Sequence, residues 1–301
     1  MAQNTESPYE VTRTGGDGKG YGKVKPEDIA LLQEKLFDTL AYFADFCEEN
    51  GIQYCMVGGT CLGAVRHKDF IPWDDDLDVA VLRADFDKLF RLWEEHGDKE
   101  KFSLYRTTSD FCAYVPIGIL RNNSTTFIRG FEKGLTDRNL GVKIDIEPMD
   151  EIPAQPLKRR IQLIYAYLYV LFLTRRKALK EKKWRKVGTT ILLGLIRGRK
   201  LRNAIMEFAG KQVKKYNGTG CKKVAINGLG YAQPITDFTE SVYLPFHGKQ
   251  FKVPAKTDDY LSRAYGDYMK LPSVEQRVPV DVPDYYDLNT PYQEYLKRKK
   301  S

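Results

Sequence analysis

Apolar residues recur along this chain with two different periods. Ile29, Leu32, Leu36, Leu40, Phe43 and Cys47 fall three and four positions apart, the spacing of one helix face. Pro26 suits a first helical turn and Asn50-Gly51 a stop, so the pattern predicts a helix between them. A short strand at Tyr54-Cys55-Met56-Val57 follows, then a Gly58-Gly59 turn and a helix opening near Thr60. Ala84 to His96 reads as another helix, with Phe86, Leu89, Phe90 and Trp93 on its buried side. Period-two alternation then takes over. Short β-type runs appear at Tyr114–Leu120 and Thr125–Ile128, and Val142 to Glu147 alternates clearly, with Lys143, Asp145 and Glu147 on one face and Val142, Ile144 and Ile146 on the other. Further on, Lys223–Ile226 reads as a strand, Val242–Val253 as a hairpin turning at His247-Gly248-Lys249, and Asp258–Tyr265 as a helix.

The densest chemistry interrupts this pattern between the first two helices and the third. Asp74, Asp75, Asp76 and Asp78 place four carboxylates in five positions, beside Trp73 and just ahead of the apolar run Val79-Ala80-Val81. From Asp76 onward the sequence alternates, so Asp76 and Asp78 share one face of a strand. Two carboxylates on one face suit a hard divalent cation such as magnesium. An isolated acidic run is more often a solvated loop. Unpaired charge leading into a strand-like apolar run is costly, however, which favours a site. The Gly58-Gly59 turn and the helix start after it let a phosphate approach backbone amides.

Gly59-Thr60-Cys61-Leu62-Gly63-Ala64-Val65-Arg66-His67, followed by Phe70-Ile71-Pro72-Trp73-Asp74-Asp75-Asp76-Leu77-Asp78, closely resembles the signature of the LicD family. Tyr265-Gly266-Asp267-Tyr268-Met269-Lys270-Leu271-Pro272 is similar to its closing motif. That family includes bacterial phosphocholine transferases and is related to the fukutin-type transferases. The resemblance spans roughly residues 29 to 150 and 240 to 280. It implies an α+β, nucleotidyltransferase-like fold: a small mixed β-sheet with helices packed on it. It also implies transfer of a phosphorylated alcohol, phosphocholine first, from a CDP-linked donor such as CDP-choline. The acceptor is a sugar hydroxyl of a cell-surface glycan, lipopolysaccharide or teichoic acid precursor.

On that reading Asp76, Asp78 and Asp145 are the catalytic and metal-holding carboxylates, with Mg2+ (or Mn2+) as cofactor, as one ion or two about 4 Å apart. Asp145 is also the candidate base for the acceptor hydroxyl, and Glu147 a weaker substitute as third acid. Gly58, Gly59, Thr60, Arg66 and His67 are phosphate-side contacts, since a guanidinium can bridge two phosphate oxygens. One of Asp74 and Asp75 orients Arg66 or His67. Trp73, Tyr265 and Tyr268 are candidates for a quaternary ammonium against aromatic faces, with plain packing as the alternative for each.

Composition bounds the rest. The chain's 301 residues can hold one large domain or two small ones. Its five cysteines are odd in number and not spaced as a metal knuckle, as expected of reduced thiols in a cytoplasmic protein. The first 22 residues have no apolar core and do not read as a signal peptide. The net charge of +8 is uneven: Leu157 to Lys215 carries 18 Lys and Arg against two acids, and the rest has 30 bases against 38 acids. Within the basic segment, apolar Ile161–Leu173 is flanked by Lys158-Arg159-Arg160 and Arg175-Arg176-Lys177, and apolar Thr189–Ile196 lies near Arg185-Lys186 and Arg197–Lys200. Neither run is long enough to span a bilayer. Helices lying on an anionic membrane surface fit this pattern, ahead of a buried hairpin and of a nucleic-acid surface, for which no motif is present.

The expected organisation is a flexible tail at 1–24, a catalytic core at 25–152, a basic helical insertion at 153–220 and a C-terminal part at 221–301 completing the domain. The expected location is cytoplasmic, peripheral at the inner membrane face. Two other readings stay open: a nucleotidyltransferase acting on a small molecule, and a non-catalytic membrane-surface adaptor.

Overall fold

The computed structural model describes residues 17–174, 183–196 and 198–300, without the side chains of 183–188 and 300. In chain order the main elements begin with β1 (Lys19–Gly20), α1 (Ile29–Glu49), β2 (Tyr54–Met56), α2 (Gly58–Arg66), β3 (Asp78–Leu82) and α3 (Arg83–His96). Four strands follow: β4 (Phe102–Tyr105), β5 (Gly118–Asn122), β6 (Thr126–Arg129) and the long β7 (Lys143–Ile152). The helices α4 (Pro156–Thr174), α5 (Lys183–Leu195) and α6 (Arg199–Lys214) lead to β8 (Lys223–Ile226), β9 (Gln233–Pro234) and α7 (Thr236–Thr239). The chain closes with β10 (Val242–Phe246), β11 (Lys249–Val253), α8 (Thr257–Tyr265), β12 (Pro283–Asp287) and α9 (Tyr292–Lys300).

The largest sheet among the described residues runs β2-β3-β7-β5-β4, with β8 and β9 added along the second half of β7. Only β3 and β7 pair in parallel; the other ladders of this sheet are antiparallel. A mixed sheet with helices packed on it is the α+β class expected. The α1 residues chosen by spacing, from Ile29 to Cys47, are all buried. They join Phe86, Leu89 and Trp93 of α3 and Val79, Ile144 and Ile146 of the sheet in one core. Burying a residue of this kind is worth roughly 1.5–3 kcal/mol.

Arg83 locks α3 to the sheet. Its Nε and Nη2 donate to the two carboxylate oxygens of Asp150 at 2.9 and 2.7 Å, with both side chains buried. Asn217 and Asn227 complete the hydrogen bonds of this pair. The bonds tie the exit of the helical insertion to the core.

Four expectations shift. The Gly58-Gly59 pair is the first turn of α2 rather than a separate turn before it. Strand β3 begins at Asp78, so Asp76 sits in the preceding loop instead of on the strand. Tyr114–Ile117 is not strand: Tyr114 has φ of 61°, and regular pairing starts at Gly118. Residues 17–24 are not a loose tail, since β1 pairs with β12 and Val24 is buried; residues 1–16 lie outside the described residues. The hairpin β10–β11 and helix α8 lie where the pattern puts them. All five cysteines are free.

The insertion is half packed and half open. Phe172, Leu173 and Met206 form a small core with Leu192, Leu193 and Ile205, joining α4, α5 and α6. Leu157, Ile161 and Ile164 remain exposed on α4, and Leu201 and Phe208 on α6. No helix among the described residues is long and apolar enough to cross a membrane. Arg175, Arg176, Lys177 and Arg197 lie outside the described residues.

Candidate active site

The site forms where α2 starts and where β3 and β7 run side by side. Parallel register sets Asp78 opposite Asp145 and Ala80 opposite Glu147, and alternation keeps Asp145 and Glu147 on one face of β7. The start of α2 is pinned to the same place. Val57 N–H donates to the Asp78 carbonyl at 3.1 Å, and Asp78 N–H donates to Thr60 Oγ1 at 2.9 Å. Gly58 N–H donates to the Tyr260 hydroxyl at 3.1 Å.

Both glycines are there for lack of a side chain. Gly58 has φ of +57°, and a Cβ on it would lie 3.4 Å from Asp78 Oδ2. A Cβ on Gly59 would lie 2.8 Å from Asp74 Oδ2, closer than packing allows. The first turn of a helix, the end that favours negative charge, therefore rests directly on two of the carboxylates.

The acids crowd one another. Burial, and then the charges of Asp76, Asp145 and Glu147, push the Asp78 carboxyl well above the usual range. Asp74 is raised by burial and by its neighbours Asp76 and Asp75. Asp76 is raised chiefly by burial, while Lys143 opposes the shift. Burial and the Asp145 charge bring Glu147 up to about 7. Carboxylate oxygens of Asp74, Asp75 and Asp76 lie within 4.8 Å of one another. Asp145 Oδ1 is buried with no hydrogen-bond partner.

Such a set fits a divalent cation: oxygen donors, excess negative charge and an orphaned acceptor. Asp75 is the exception within it. Each of its oxygens accepts one backbone N–H, from Val280 and Asp281 at 2.9 and 3.0 Å. Burial raises its carboxyl to about 6, tempered by the Val280 N–H. Asp75 thus anchors the segment before β12 and does not orient Arg66 or His67.

A cationic and aromatic rim faces the acids. Arg66 donates from Nη1 to the Tyr268 carbonyl at 3.0 Å and from Nε to His67 Nε2 at 3.0 Å. Burial and the neighbouring Arg277 lower the Arg66 pKa, against the pull of Asp74. His67 is also lowered, by burial and then by Arg66, and its Nε2, accepting from Arg66, holds that side chain in place. The Arg277 guanidinium lies over the Trp73 ring at 5.5 Å. Tyr265 stands at the mouth of the cluster, its hydroxyl raised to about 12 by burial and the charges of Asp74 and Asp78. The Tyr268 hydroxyl instead donates to Asp258.

Two cations were missed by sequence reasoning. Arg277 follows the closing motif with no periodicity to mark it. Lys143 was visible on the Asp145 face, but its ion pair with Asp145, Nζ to Oδ2 at 2.6 Å, needs the folded geometry. A cavity of about 310 Å³ lies between α3, α4 and α6 and includes Pro148, on the other face of β7. None of the site carboxylates lines it. Its Arg83 is spent on Asp150, and its Arg106 and Lys214 on Asp87.

Residues 51–115 match the model of the LicD family, described as the LicD/FKTN/FKRP nucleotidyltransferase domain. This span includes α2 and the Asp74–Asp78 run and stops short of Asp145. Over 281 residues, 86% of this chain and 99% of the relative, the chain is 28% identical to the lipopolysaccharide cholinephosphotransferase LicD of Haemophilus influenzae. A stretch of 50 residues is 42% identical to the human ribitol 5-phosphate transferase FKRP, covering 17% of this chain and 10% of that protein.

Proposed function

We propose, for a chain that carries a LicD-family nucleotidyltransferase domain, that it transfers a phosphorylated alcohol, phosphocholine first, from a CDP-linked donor. The acceptor is a sugar hydroxyl of a lipopolysaccharide-type glycan precursor. The observation that carries this reading is the pairing of Asp78 with Asp145 across β3 and β7, against the glycine start of α2. Support for choline and lipopolysaccharide comes from the near full-length relative whose name states that activity. The α+β architecture agrees with a nucleotidyltransferase-like fold.

Asp76, Asp78 and Asp145 would hold the divalent ion, with Asp74 beside them. A bound Mg2+ would neutralise the diphosphate and ease departure of the cytidine monophosphate. The chain's own residues do the rest by position and charge. Arg66, steadied by His67 and the Tyr268 carbonyl, and Arg277 supply positive charge for the phosphate oxygens. Gly58 and Gly59 leave room for the donor beside the carboxylates. Tyr265 lies next to the acids and suits the quaternary ammonium, whereas Trp73 already carries the Arg277 guanidinium over its ring.

The exposed apolar stripe of α4 sits among Lys158, Arg159 and Arg160. Residues seven apart share a side of a helix, which places Leu157 with Ile164 and Leu201 with Phe208. Tyr165 packs edge-on against Phe208, ring centroids 5.7 Å apart, and this sets the two stripes side by side. We read this face as the surface that brings the enzyme to an anionic membrane carrying its acceptor.

The deciding experiment is a screen of cytidine diphosphate donors with Mg2+, following release of cytidine monophosphate. Turnover with the choline donor is expected. Failure with choline, ethanolamine, glycerol and ribitol donors alike would sink the reading.

A further inference from the structure

The acidic cluster contains its own cation. Lys143 is buried on β7, two residues from Asp145 and on the same face. Its Nζ lies 2.6 Å from Asp145 Oδ2, with side-chain exposures of 6% and 17%. The other Asp145 oxygen, Oδ1, is buried and has no partner. Asp145 is therefore divided: one oxygen serves an ammonium fixed by the fold, and the other is left for a ligand. A lysine placed on a solvated edge would be hydrated; this one is buried among carboxylates.

We propose that the Lys143 ammonium acts as a permanent second cation of the site, so that the chain by itself binds one divalent ion, through the free oxygen of Asp145. The inference rests on the reading of Asp76, Asp78 and Asp145 as ion-holding carboxylates. Lys143 touches neither donor nor acceptor in this scheme. It is a positioning residue that fixes the direction of Asp145 and fills the charge a second ion would otherwise supply. Any further divalent ion would take its ligands from the incoming diphosphate rather than from the chain's own side chains.

The test is titration of the full-length protein with Mn2+ alone, reading free Mn2+ by electron paramagnetic resonance. Wild type is expected to bind one ion per chain. Lys143→Met removes the charge, and Lys143→Gln removes it while keeping a donor for Asp145. Both variants are expected to bind a second ion, or to bind the first roughly tenfold tighter, the scale of one unit charge removed at close range. Lys143→Met is expected to lose transfer activity, because Asp145 is no longer held, and Lys143→Gln, which still donates to Asp145, to retain part of it. A merely structural lysine would leave the ion count and affinity unchanged in any folded variant, as judged by circular dichroism, and that result overturns the proposal. Two ions in wild type overturn it as well, whether or not the variants fold. No binding by wild type instead removes the ion-site reading and this inference with it. Where wild type binds an ion, Asp76→Asn should abolish the binding, which assigns it to the carboxylate cluster.

Discussion

Asp78 and Asp145 are direct partners in the parallel pairing of β3 and β7, so two carboxylates 67 positions apart in the chain meet at one point of the sheet. Both are crowded by further acids, and one of them carries a buried lysine. A fold that only needed to be stable would not place them there, since each buried carboxylate costs stability unless something neutralises it. Replacing Asp78 with Asn keeps the shape and removes the charge. Transfer should fall by about 100-fold or more, the usual loss when an electrostatic element of a site is removed. The melting temperature should hold or rise, because repulsion within the cluster is relieved. Donor turnover and thermal unfolding of the same preparation check both halves. A variant that loses stability along with activity would mark Asp78 as a structural residue.

The raised carboxyls make stability depend on pH in a defined direction. A carboxyl whose folded pKa exceeds its unfolded value binds more protons when folded, so it favours folding most below about pH 4. That contribution is lost as pH rises through the folded values, about 6 for Asp75 and about 7 for Glu147. The raised Asp78 acts in the same sense. Metal-free protein should therefore melt at lower temperature at about pH 8 than at about pH 5.5. Mg2+ should raise the melting temperature far more at the higher pH, because only the ionised cluster binds it. Differential scanning fluorimetry with and without Mg2+ across this range reads the effect. Equal Mg2+ stabilisation at both ends would contradict a cluster that ionises as the ion binds.

Much of this was legible in the residues. The helix stripe from Ile29 to Cys47 marks its own buried face, and the Val142–Glu147 alternation assigns Asp145 to the polar side, where it is found. Local pattern stops at contacts between distant segments. That Asp75 holds the N–H groups of Val280 and Asp281, 205 and 206 positions away, leaves no periodic trace, so nothing in the Asp74-Asp75-Asp76 run sets it apart from its neighbours. The same is true of Arg277 on Trp73 and of the buried Arg121–Glu132 pair. Alternation also overshot by two residues at the start of β3. It records which side chains share a face, not where backbone pairing begins.

The Asp75 clamp gives its own prediction. Asn at this position retains one acceptor and turns an N–H donor toward a backbone N–H. Stability should drop by about 1–3 kcal/mol, the cost of a buried unsatisfied group, and amide exchange should speed up around Val280 and Asp281. Mn2+ affinity should stay near that of wild type. A large loss of ion affinity would instead make Asp75 a ligand alongside Asp74 and Asp76.

The exposed stripe on α4 is tested away from the chemistry. Ile161 and Ile164 are 40% and 60% exposed, so Ser at both positions removes apolar surface that the core does not use. If the stripe lies in a lipid headgroup layer, each substitution should weaken vesicle binding by about 1 kcal/mol, in proportion to the apolar area withdrawn. Lys158 and Arg160 supply the electrostatic part, so exchanging both for Gln should reduce flotation with anionic vesicles and flatten its salt dependence. Arg159 is not suited to this test because it donates to Gln162 and to the Gly228 carbonyl, and its loss would disturb the fold. Turnover of a soluble acceptor fragment should be unchanged in all four substitutions, since none touches the carboxylate cluster. Equal binding of wild type to neutral and anionic vesicles would remove the charge argument, and undiminished binding by the Ser variant would remove the apolar one.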